Sequence, residues 1–232
     1  MKDPGTGGYA WDAADYARHS GGQYAWAQEL LDKLALAPDE RVLDIGCGDG
    51  KVTAALAGHV PQGRALGVDV SPEMIRLARA RHPQAAYPNL SFLLMDARRL
   101  CFTEQFEVAF SNAALHWVRD HPAVLHGVAA ALRRGGRLLF QMGGRGNAPD
   151  MFALLDEMLA GEPWRRYFVD FPFPFGFYGP EAYRGWLPLA GLSPIRLELL
   201  AKDMRHAGRE GLAGWIRTTW LPYTQRLPED LR

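Results

Sequence analysis

The sequence predicts an α/β protein with a doubly wound, mostly parallel sheet, because apolar segments of strand length alternate with helical patterns. Three of the predicted strands carry an acid at or next to their carboxyl end, namely Asp44, Asp69 and Asp96. The first strand also runs into three glycines spaced two residues apart, Gly46, Gly48 and Gly50. Open α/β sheets bind ligands at the carboxyl ends of their strands. The pattern therefore predicts a ligand site at this edge of the sheet.

The elements follow in a regular order along the chain. The predicted strands cover residues 42–45, 64–69, 90–96, 106–112, 137–142 and 195–200. Helical spacing of apolar residues predicts helices at 23–36, 51–57, 72–81, 122–132, 151–159, 180–190 and 212–220. The helix from residue 72 has a cap residue before it, Ser71, a proline in its first turn and an acid, Glu73, near its positive end.

The glycine turn predicts close approach of a ligand to the backbone. Glycine lacks a Cβ, so the chain can turn tightly there, and the following helix N-terminus is expected to present free N–H groups to the crevice. The dinucleotide fingerprint G-x-G-x-x-G fails, because the third position after Gly48 is Lys51. Asp44 also disfavours a pyrophosphate at this position and favours a ligand with positive charge.

Together, the glycine turn and the three acids closely resemble the class I S-adenosylmethionine-dependent methyltransferases, which have a Rossmann-like fold. The resemblance implies that Asp44, Gly46 and Gly48 flank the methionine part of the cofactor, Asp69 binds the ribose diol, and Asp96 faces the adenine amino group. Further cofactor contacts are expected at Val70, Met74, Ala97 and Asn112. The alternative is that these are ordinary strand-end turns of another doubly wound protein, with Val70 and Met74 serving as core.

The segment after the fourth strand, S-N-A-A-L-H-W, bears on the methyl acceptor. It lacks the Asn-Pro-Pro-aromatic motif of enzymes that methylate nucleobase amines, the further acids of metal-dependent catechol-type members are missing, and two cysteines are too few for arsenite methylation. The A-L-H-W-V motif resembles the branch that contains trans-aconitate and juvenile hormone acid methyltransferases, which methylate carboxylates. The resemblance extends to an N-terminal tyrosine and glutamine segment and places Tyr16 and Gln23 in the active site.

His116 has two functional interpretations. With a hydroxyl or amine acceptor it would serve as a general base near neutral pH. A carboxylate acceptor is already ionised at neutral pH, so the histidine would instead donate a hydrogen bond and orient one oxygen. A histidine packed under the following loop is the structural alternative. Trp117 is either a wall of the site or a substrate contact.

The chain is expected to divide into an N-terminal cap (1–40), a cofactor-binding core (41–142), a lid insert (143–192) and a C-terminal strand and helix (193–232). Alternating prolines and phenylalanines at 171–177 cannot form a regular helix, so they predict an aromatic lid or a surface loop. Arg165 is the candidate anion clamp for the substrate, with Arg145 and Arg166 as alternatives. Six strands are predicted, five of them parallel, and the seventh strand of the family is expected to be missing beside the fifth.

Composition favours a small-molecule substrate. Lysine plus arginine and aspartate plus glutamate number 26 each in 232 residues, so no net charge attracts nucleic acid or a membrane surface. The two cysteines, Cys47 and Cys101, offer neither a disulfide framework nor metal spacing. A cytoplasmic monomer or dimer without a metal is expected.

The predicted activity is methyl transfer from S-adenosylmethionine, most readily to a carboxylate oxygen. The alternatives are a hydroxyl or amine acceptor, a non-catalytic S-adenosylmethionine-binding protein and, more weakly, an NAD-dependent enzyme.

Overall fold

The computed structural model describes residues 9–13, 15 and 21–231. These residues form a five-stranded, fully parallel sheet with the strand order β3-β2-β1-β4-β5. The strands are β1 (Arg41–Ile45), β2 (Arg64–Asp69), β3 (Leu90–Leu94), β4 (Phe106–Asn112) and β5 (Leu132–Gln141). The helices are α1 (Gly21–Leu34), α2 (Lys51–His59), α3 (Pro72–Arg81), α4 (His121–Ala131), α5 (Pro149–Ala160), α6 (Pro180–Leu189), α7 (Gly208–Thr219) and α8 (Leu221–Thr224).

The central strand β1 is buried on both faces. Val42 and Leu43 are neighbours in sequence and 0% exposed, but they belong to different core clusters because successive strand residues point to opposite faces. Val42 packs with apolar residues of α1, α2 and α3, and Leu43 packs with those of α4. A parallel sheet covered by helices on both faces is the doubly wound fold that the sequence predicts.

The strand order reverses direction at β1, which pairs with β2 on one side and β4 on the other. The chain therefore leaves the carboxyl ends of β1 and β4 in opposite directions, and a crevice opens between them. Helix α3 begins beside this crevice as predicted: Ser71 Oγ accepts a hydrogen bond from the Met74 amide at 3.2 Å, and Pro72 occupies the first turn.

The prediction of a strand at residues 195–200 is wrong. This segment has no regular secondary structure, and β5 is an edge strand among the described residues. Its alternating apolar pattern does not bury a face, since Ile195 is 97% exposed and Leu199 48%. After β5, the Arg145 amide donates to the Tyr178 carbonyl. The backbone there thus pairs within the 143–192 segment and not with residues 195–200.

Residues beyond β5 build a further core cluster, which is aromatic. It joins α5, the Pro/Phe segment, α7 and α8, and its buried members are Phe175, Trp220 and Tyr223. Trp220 stacks on Phe152 with ring centroids 4.7 Å apart. The rings at 171–177 are therefore mostly packed within this cluster, although Phe173 remains 47% exposed.

Residues at the C-terminal end of the chain also bond to the N-terminal segment. Gln225 exchanges two side-chain hydrogen bonds with the Ala10 backbone, and Arg217 on α7 pairs with Asp15 at 2.7 Å. The two ends of the described chain thus meet on one side of the molecule.

The aromatic cluster predicts a large stability difference between two truncations. Trp220→Ala removes a side chain that is 5% exposed and leaves a cavity, so we expect the free energy of unfolding to fall by about 3 kcal/mol. Leu189→Ala is the control, because Leu189 is 75% exposed and the expected change is below about 0.5 kcal/mol. Urea unfolding followed by circular dichroism measures both. Equal losses in the two variants would contradict the packing described here.

Candidate active site

A cavity opens at the carboxyl ends of β1, β2, β3 and β4, where the sequence predicts the ligand site. Its described lining includes the predicted residues Gly46, Gly48, Asp69, Val70, Met74, Asp96, Ala97 and Trp117. It also includes residues that the sequence analysis did not assign to the cofactor or the substrate, namely Tyr9, Trp11, Ile45, Val68, Met95, Ala113, Ala114, Leu115 and Val118. The strand ends and the loop after β4 therefore meet around one cavity.

The glycine turn packs tightly against the neighbouring strand and loop. Gly46 has φ of 75°, and a Cβ at this position would lie 2.2 Å from the Cβ of Ala114. The amides of Gly46 and Cys47 both donate to the Val68 carbonyl, at 2.8 and 3.0 Å. The Gly48 amide donates to Asp69. These three amides are thus paired within the protein, so the turn itself provides close approach rather than an anion site.

Asp44 lies behind the turn rather than in the cavity lining. It is 2% exposed, and its Oδ2 accepts a hydrogen bond from Thr53 Oγ1 at 2.7 Å. Burial raises the pKa of Asp44 to about 7, the Thr53 hydrogen bond opposes this rise, and the negative charge of Asp69 adds to it. Such a carboxyl gains from a nearby cation, which agrees with the predicted preference for a positively charged ligand.

Asp69 stands at the end of β2 with both carboxylate oxygens in hydrogen bonds. Oδ2 accepts from the Gly48 amide at 2.9 Å and Oδ1 from the Ser71 amide at 2.8 Å. Burial nevertheless raises the pKa of Asp69 above its usual value. Each oxygen retains a further lone pair, so the fixed carboxylate can still accept hydrogen bonds from a ligand in the cavity.

Asp96 is held by Arg98. From sequence alone, the arginines that follow Asp96, Arg98 and Arg99, are most simply interpreted as part of the solvated surface. Arg98 Nη2 lies 2.6 Å from Asp96 Oδ2, and the Arg98 amide donates to Oδ1 at 2.9 Å. The Arg98 side chain is only 18% exposed. Burial raises the pKa of Asp96, but the hydrogen bonds and charge of Arg98 lower it below its usual value. The surface assignment of Arg98 is therefore wrong.

Gln23 and Asn112 meet at the end of β4 and do not line the described cavity. The Asn112 side chain donates to the Gln23 carbonyl at 2.9 Å and accepts from Gln141 Nε2 at 3.1 Å. These bonds join the beginning of α1 to the sheet, which gives Asn112 a structural role in this arrangement. Gln23 is 9% exposed, and its Oε1 has no hydrogen-bond partner. Tyr16 lies outside the described residues.

His116 and Trp117 lie on a tight turn after β4, residues 115–118. Trp117 lines the cavity and contacts Trp11 and Phe175, with ring centroids 5.0 and 5.2 Å away. His116 is not part of the described lining. Its Nδ1 accepts a hydrogen bond from the Gly143 amide at 3.3 Å, and its ring lies 5.8 Å from that of Phe177. Burial, together with the nearby His121, lowers the pKa of His116 to about 4.

The three candidate arginines do not reach the described cavity. Arg165 is exposed on a short 3₁₀ turn, and Arg166 bonds to the hydroxyl of its neighbour Tyr167. Arg145 forms an ion pair with Glu181 at 2.8 Å. The structure thus does not bring Arg165 to the residues that line the cavity.

Comparisons with known proteins agree with this geometry. Residues 42–136 match a family described as methyltransferase domain. A trans-aconitate 2-methyltransferase from Variovorax paradoxus is 33% identical over 96% of this chain and 84% of its own length. The chain is a class I S-adenosylmethionine-dependent methyltransferase. A second trans-aconitate 2-methyltransferase, from Streptomyces coelicolor, is also 33% identical over 91% of this chain and 70% of its own length.

A solved structure also shares the fold of this methyltransferase. Geranyl diphosphate C-methyltransferase from Streptomyces coelicolor, in complex with S-adenosyl-L-homocysteine, aligns with a TM-score of 0.59 at 17% identity. The alignment covers 75% of this chain and 62% of that one. The cofactor of this methyltransferase is S-adenosylmethionine, as the family resemblance implied, with S-adenosylhomocysteine as product.

Two absences among the described residues concern metal ions and membranes. No three His, Cys, Asp or Glu side chains in that part of the chain gather into a group suited to a metal ion. None of its helices combines the length and apolarity needed to cross a bilayer. Cys47 is a buried thiol within the glycine turn, and burial raises its pKa well above the usual range, which makes it unreactive.

Asp69 provides a direct test of the site. Asp69→Asn keeps the size of the side chain but removes its charge, so we expect S-adenosylhomocysteine affinity to fall between about tenfold and a hundredfold, as for loss of a charge-assisted hydrogen bond. Asp39→Asn is the matched control, because Asp39 is exposed before β1, at the opposite end of the strand. Isothermal titration calorimetry measures both affinities. An unchanged affinity in Asp69→Asn would contradict the site.

Proposed function

We propose that this methyltransferase moves the methyl group of S-adenosylmethionine to a carboxylate oxygen of a small molecule. The observation that carries the proposal is the hydrogen bond that the half-buried imidazole of His116 accepts at Nδ1 from the Gly143 amide. Desolvation lowers the pKa of His116 to about 4, so the ring is neutral near pH 7. Its single ring hydrogen is then on Nε2, which makes the residue a hydrogen-bond donor. A group with a pKa of about 4 is also a weak base near pH 7. A carboxylate acceptor is already ionised near pH 7, so it can accept a hydrogen bond from this donor and needs no general base.

The lining residues suit the cofactor. In this proposal the Asp69 carboxylate accepts from the ribose hydroxyls, Asp96 faces the adenine amino group, and Val70, Met74 and Ala97 flank the base. Gly46 and Gly48 admit the methionine part, where a Cβ at Gly46 would clash with Ala114. Asp44 supplies negative charge from behind the turn. The cofactor, when bound, supplies a methyl group on a sulfonium centre.

The acceptor side of the cavity has an aromatic wall. Trp117 lies between Trp11 and Tyr9, whose ring centroids are 5.0 and 6.2 Å away. The charged residues of the described lining are Asp69 and Asp96, which are both acidic. A multiply charged acid would gain little from such a surface, whereas an apolar body would bury against it. We therefore infer an acceptor that combines one carboxylate with an apolar or aromatic group.

The 143–192 segment would act as a lid on the acceptor side. Its Gly176 amide donates to the His116 carbonyl at 2.8 Å, and Phe175 packs edge-on against Trp117. Both contacts exclude water from the turn that carries His116. Water exclusion strengthens the hydrogen bond from Nε2 to a carboxylate oxygen and prevents competition by water for the methyl group.

The transfer itself requires little chemistry from the protein. The cofactor would supply a methyl group whose bond to sulfur breaks as a bond to the carboxylate oxygen forms, which would give an ester and a neutral thioether. The positive charge of the sulfonium and the negative charge of the carboxylate cancel. No base is needed, because no proton is released. The protein contributes by holding the two groups in line, with Trp117 limiting the approach and His116 orienting one oxygen.

An acceptor panel tests the proposal. The full chain is incubated with S-adenosylmethionine and phenylacetate, 4-phenylbutyrate or octanoate, alongside 2-phenylethanol, 2-phenylethylamine and trans-aconitate. We expect methyl esters of the monocarboxylic acids, detected by mass spectrometry together with S-adenosylhomocysteine. Methylation of the alcohol or amine but not of the acids would overturn the carboxylate assignment. Preference for trans-aconitate would keep the carboxylate and overturn the apolar body.

The donor role of His116 predicts a flat pH profile. His116 is neutral above its pKa of about 4 and the acceptor carboxylate is ionised, so neither group should change kcat between about pH 6 and 9. S-adenosylmethionine is kept at saturation in this measurement, because its positive charge lowers the pKa of Asp44, which burial raises to about 7 in the free protein. The value of kcat should fall as the pH drops below about 5, where both groups become protonated. A rate that rises with pH through the neutral range would indicate a general base instead.

Two substitutions separate donation from packing at His116. His116→Phe keeps an aromatic ring beside Phe177 but cannot donate, so kcat should fall between about tenfold and a hundredfold. His116→Gln retains an amide donor and should recover part of the loss. S-adenosylhomocysteine affinity, measured by calorimetry, should stay within about twofold in both variants, since His116 is outside the described cavity lining. Equal loss of affinity and turnover would indicate a structural histidine.

A further inference from the structure

A second histidine lies next to the active-site turn and was not singled out by the sequence analysis. His121 opens α4, but its side chain is only 1% exposed and points into the protein. Its Nε2 lies 2.9 Å from the Leu115 carbonyl, and its Nδ1 lies 2.7 Å from the Tyr183 hydroxyl on α6. The imidazole therefore bridges the 115–118 turn and the 143–192 segment.

The hydrogen bonds fix which atom donates. Burial lowers the pKa of His121, so the ring is neutral and carries one hydrogen. A carbonyl can only accept, so this hydrogen is on Nε2 and is donated to Leu115. Nδ1 then accepts from the Tyr183 hydroxyl. The same hydroxyl lies 3.2 Å from Met142 Sδ, a weaker acceptor than the ring nitrogen.

Two neighbouring contacts hold the same turn. The Gly176 amide donates to the His116 carbonyl at 2.8 Å, and the Tyr178 hydroxyl donates to the Arg119 carbonyl at 2.7 Å. A Cβ at Gly176 would lie 2.1 Å from the Val118 carbonyl oxygen and 3.0 Å from His121 Nε2. Three hydrogen bonds thus reach the carbonyls of Leu115, His116 and Arg119, and the Leu115 carbonyl also accepts from the Val118 amide at 2.9 Å within the turn.

We propose that His121 is a positioning residue for methyl transfer. Neither His121 nor Tyr183 belongs to the described cavity lining, whereas Leu115, Trp117 and Val118 do. The imidazole therefore acts through the turn: its bond to the Leu115 carbonyl fixes the backbone that carries His116 and Trp117. Tyr183 holds the imidazole in the tautomer that can make this bond. The inference rests on the proposed function, because it assigns the turn to the acceptor side.

A pair of substitutions tests the bond to Leu115. The side-chain amide of Gln reaches about as far as Nε2 of histidine, and that of Asn about as far as Nδ1. His121→Gln can thus still donate to Leu115, while His121→Asn can bond only to Tyr183. Both variants lose the ring, which packs 4.8 Å from the ring of Tyr178. Their difference therefore compares the Leu115 bond, kept in His121→Gln, with the Tyr183 bond, kept in His121→Asn.

The measurements are kcat and KM with phenylacetate, or with whichever panel compound is methylated, and amide hydrogen exchange of residues 115–118. We expect His121→Asn to lower kcat about tenfold, because a displaced turn misplaces the acceptor. Exchange at 115–118 should quicken by roughly the same factor. His121→Gln should stay within about threefold of the parent chain in both measurements. S-adenosylhomocysteine affinity should remain within about twofold in each variant.

Asn89→Ala is the stability control. The Asn89 side chain donates to the carbonyls of Ala57 and Val60 before β3, at the opposite end of the sheet from the cavity. It should lower the melting temperature without changing kcat per folded molecule. Equal losses of kcat in His121→Asn and His121→Gln, or no loss in either, would overturn the proposal. So would a loss explained by the folded fraction alone.

Two outcomes distinguish this inference from the proposed function. If an alcohol or amine is the acceptor, the carboxylate assignment fails but the Asn and Gln variants can still be compared on that substrate. If no compound of the panel is methylated, hydrogen exchange at 115–118 alone decides. If neither His121 variant folds, Tyr183→Phe is measured instead, and an unchanged kcat and exchange rate at 115–118 in that variant would contradict the bridge.

Discussion

The hydrogen bonds between the glycine turn and the end of β2 are the interaction on which the rest of the site depends. Val68 accepts from two successive amides of the turn, and Asp69 accepts from a third. These bonds require the register that sets Ile45 beside Val68 in neighbouring parallel strands. Gly46 of the same turn packs against Ala114. The backbone of the glycine turn therefore positions both the end of β2 and the loop after β4.

The charges around the cavity suit a cationic cofactor. Asp44 and Asp69 are acids whose pKa is raised by burial, so a cation beside them relieves an unfavourable charge. His116 is neutral for the same reason, burial, and therefore does not repel a sulfonium. A protonated histidine there would repel the positively charged sulfonium. Burial is thus the largest cause of all three pKa shifts.

The sequence predicted the strand-end residues of the cavity lining but not the contacts behind the turn after β4. Glycines with positive φ and acids at strand ends depend on local geometry, which repeats along the chain and can be recognised without coordinates. The role of His121 depends on Tyr183, 62 residues away, and no local pattern reports such a contact. The strand predicted at 195–200 failed because alternation shows amphipathic character but not whether a sheet edge is within reach. The position of Arg98 was predicted wrongly because an arginine two residues after an acid can either pair with it or extend into solvent, and sequence alone does not decide between the two.

The contact between the two ends of the described chain has a consequence for turnover. Tyr9 and Trp11 line the cavity, and the neighbouring residues Ala10 and Asp15 are bonded to Gln225 and Arg217 from the far end of the sequence. The two bonds between Gln225 and Ala10 are exposed, and exposed polar contacts are weak compared with a buried sheet. The N-terminal side of the cavity can therefore open at a lower cost than the sheet, which gives the methylated product and S-adenosylhomocysteine a way out while the strands stay in register.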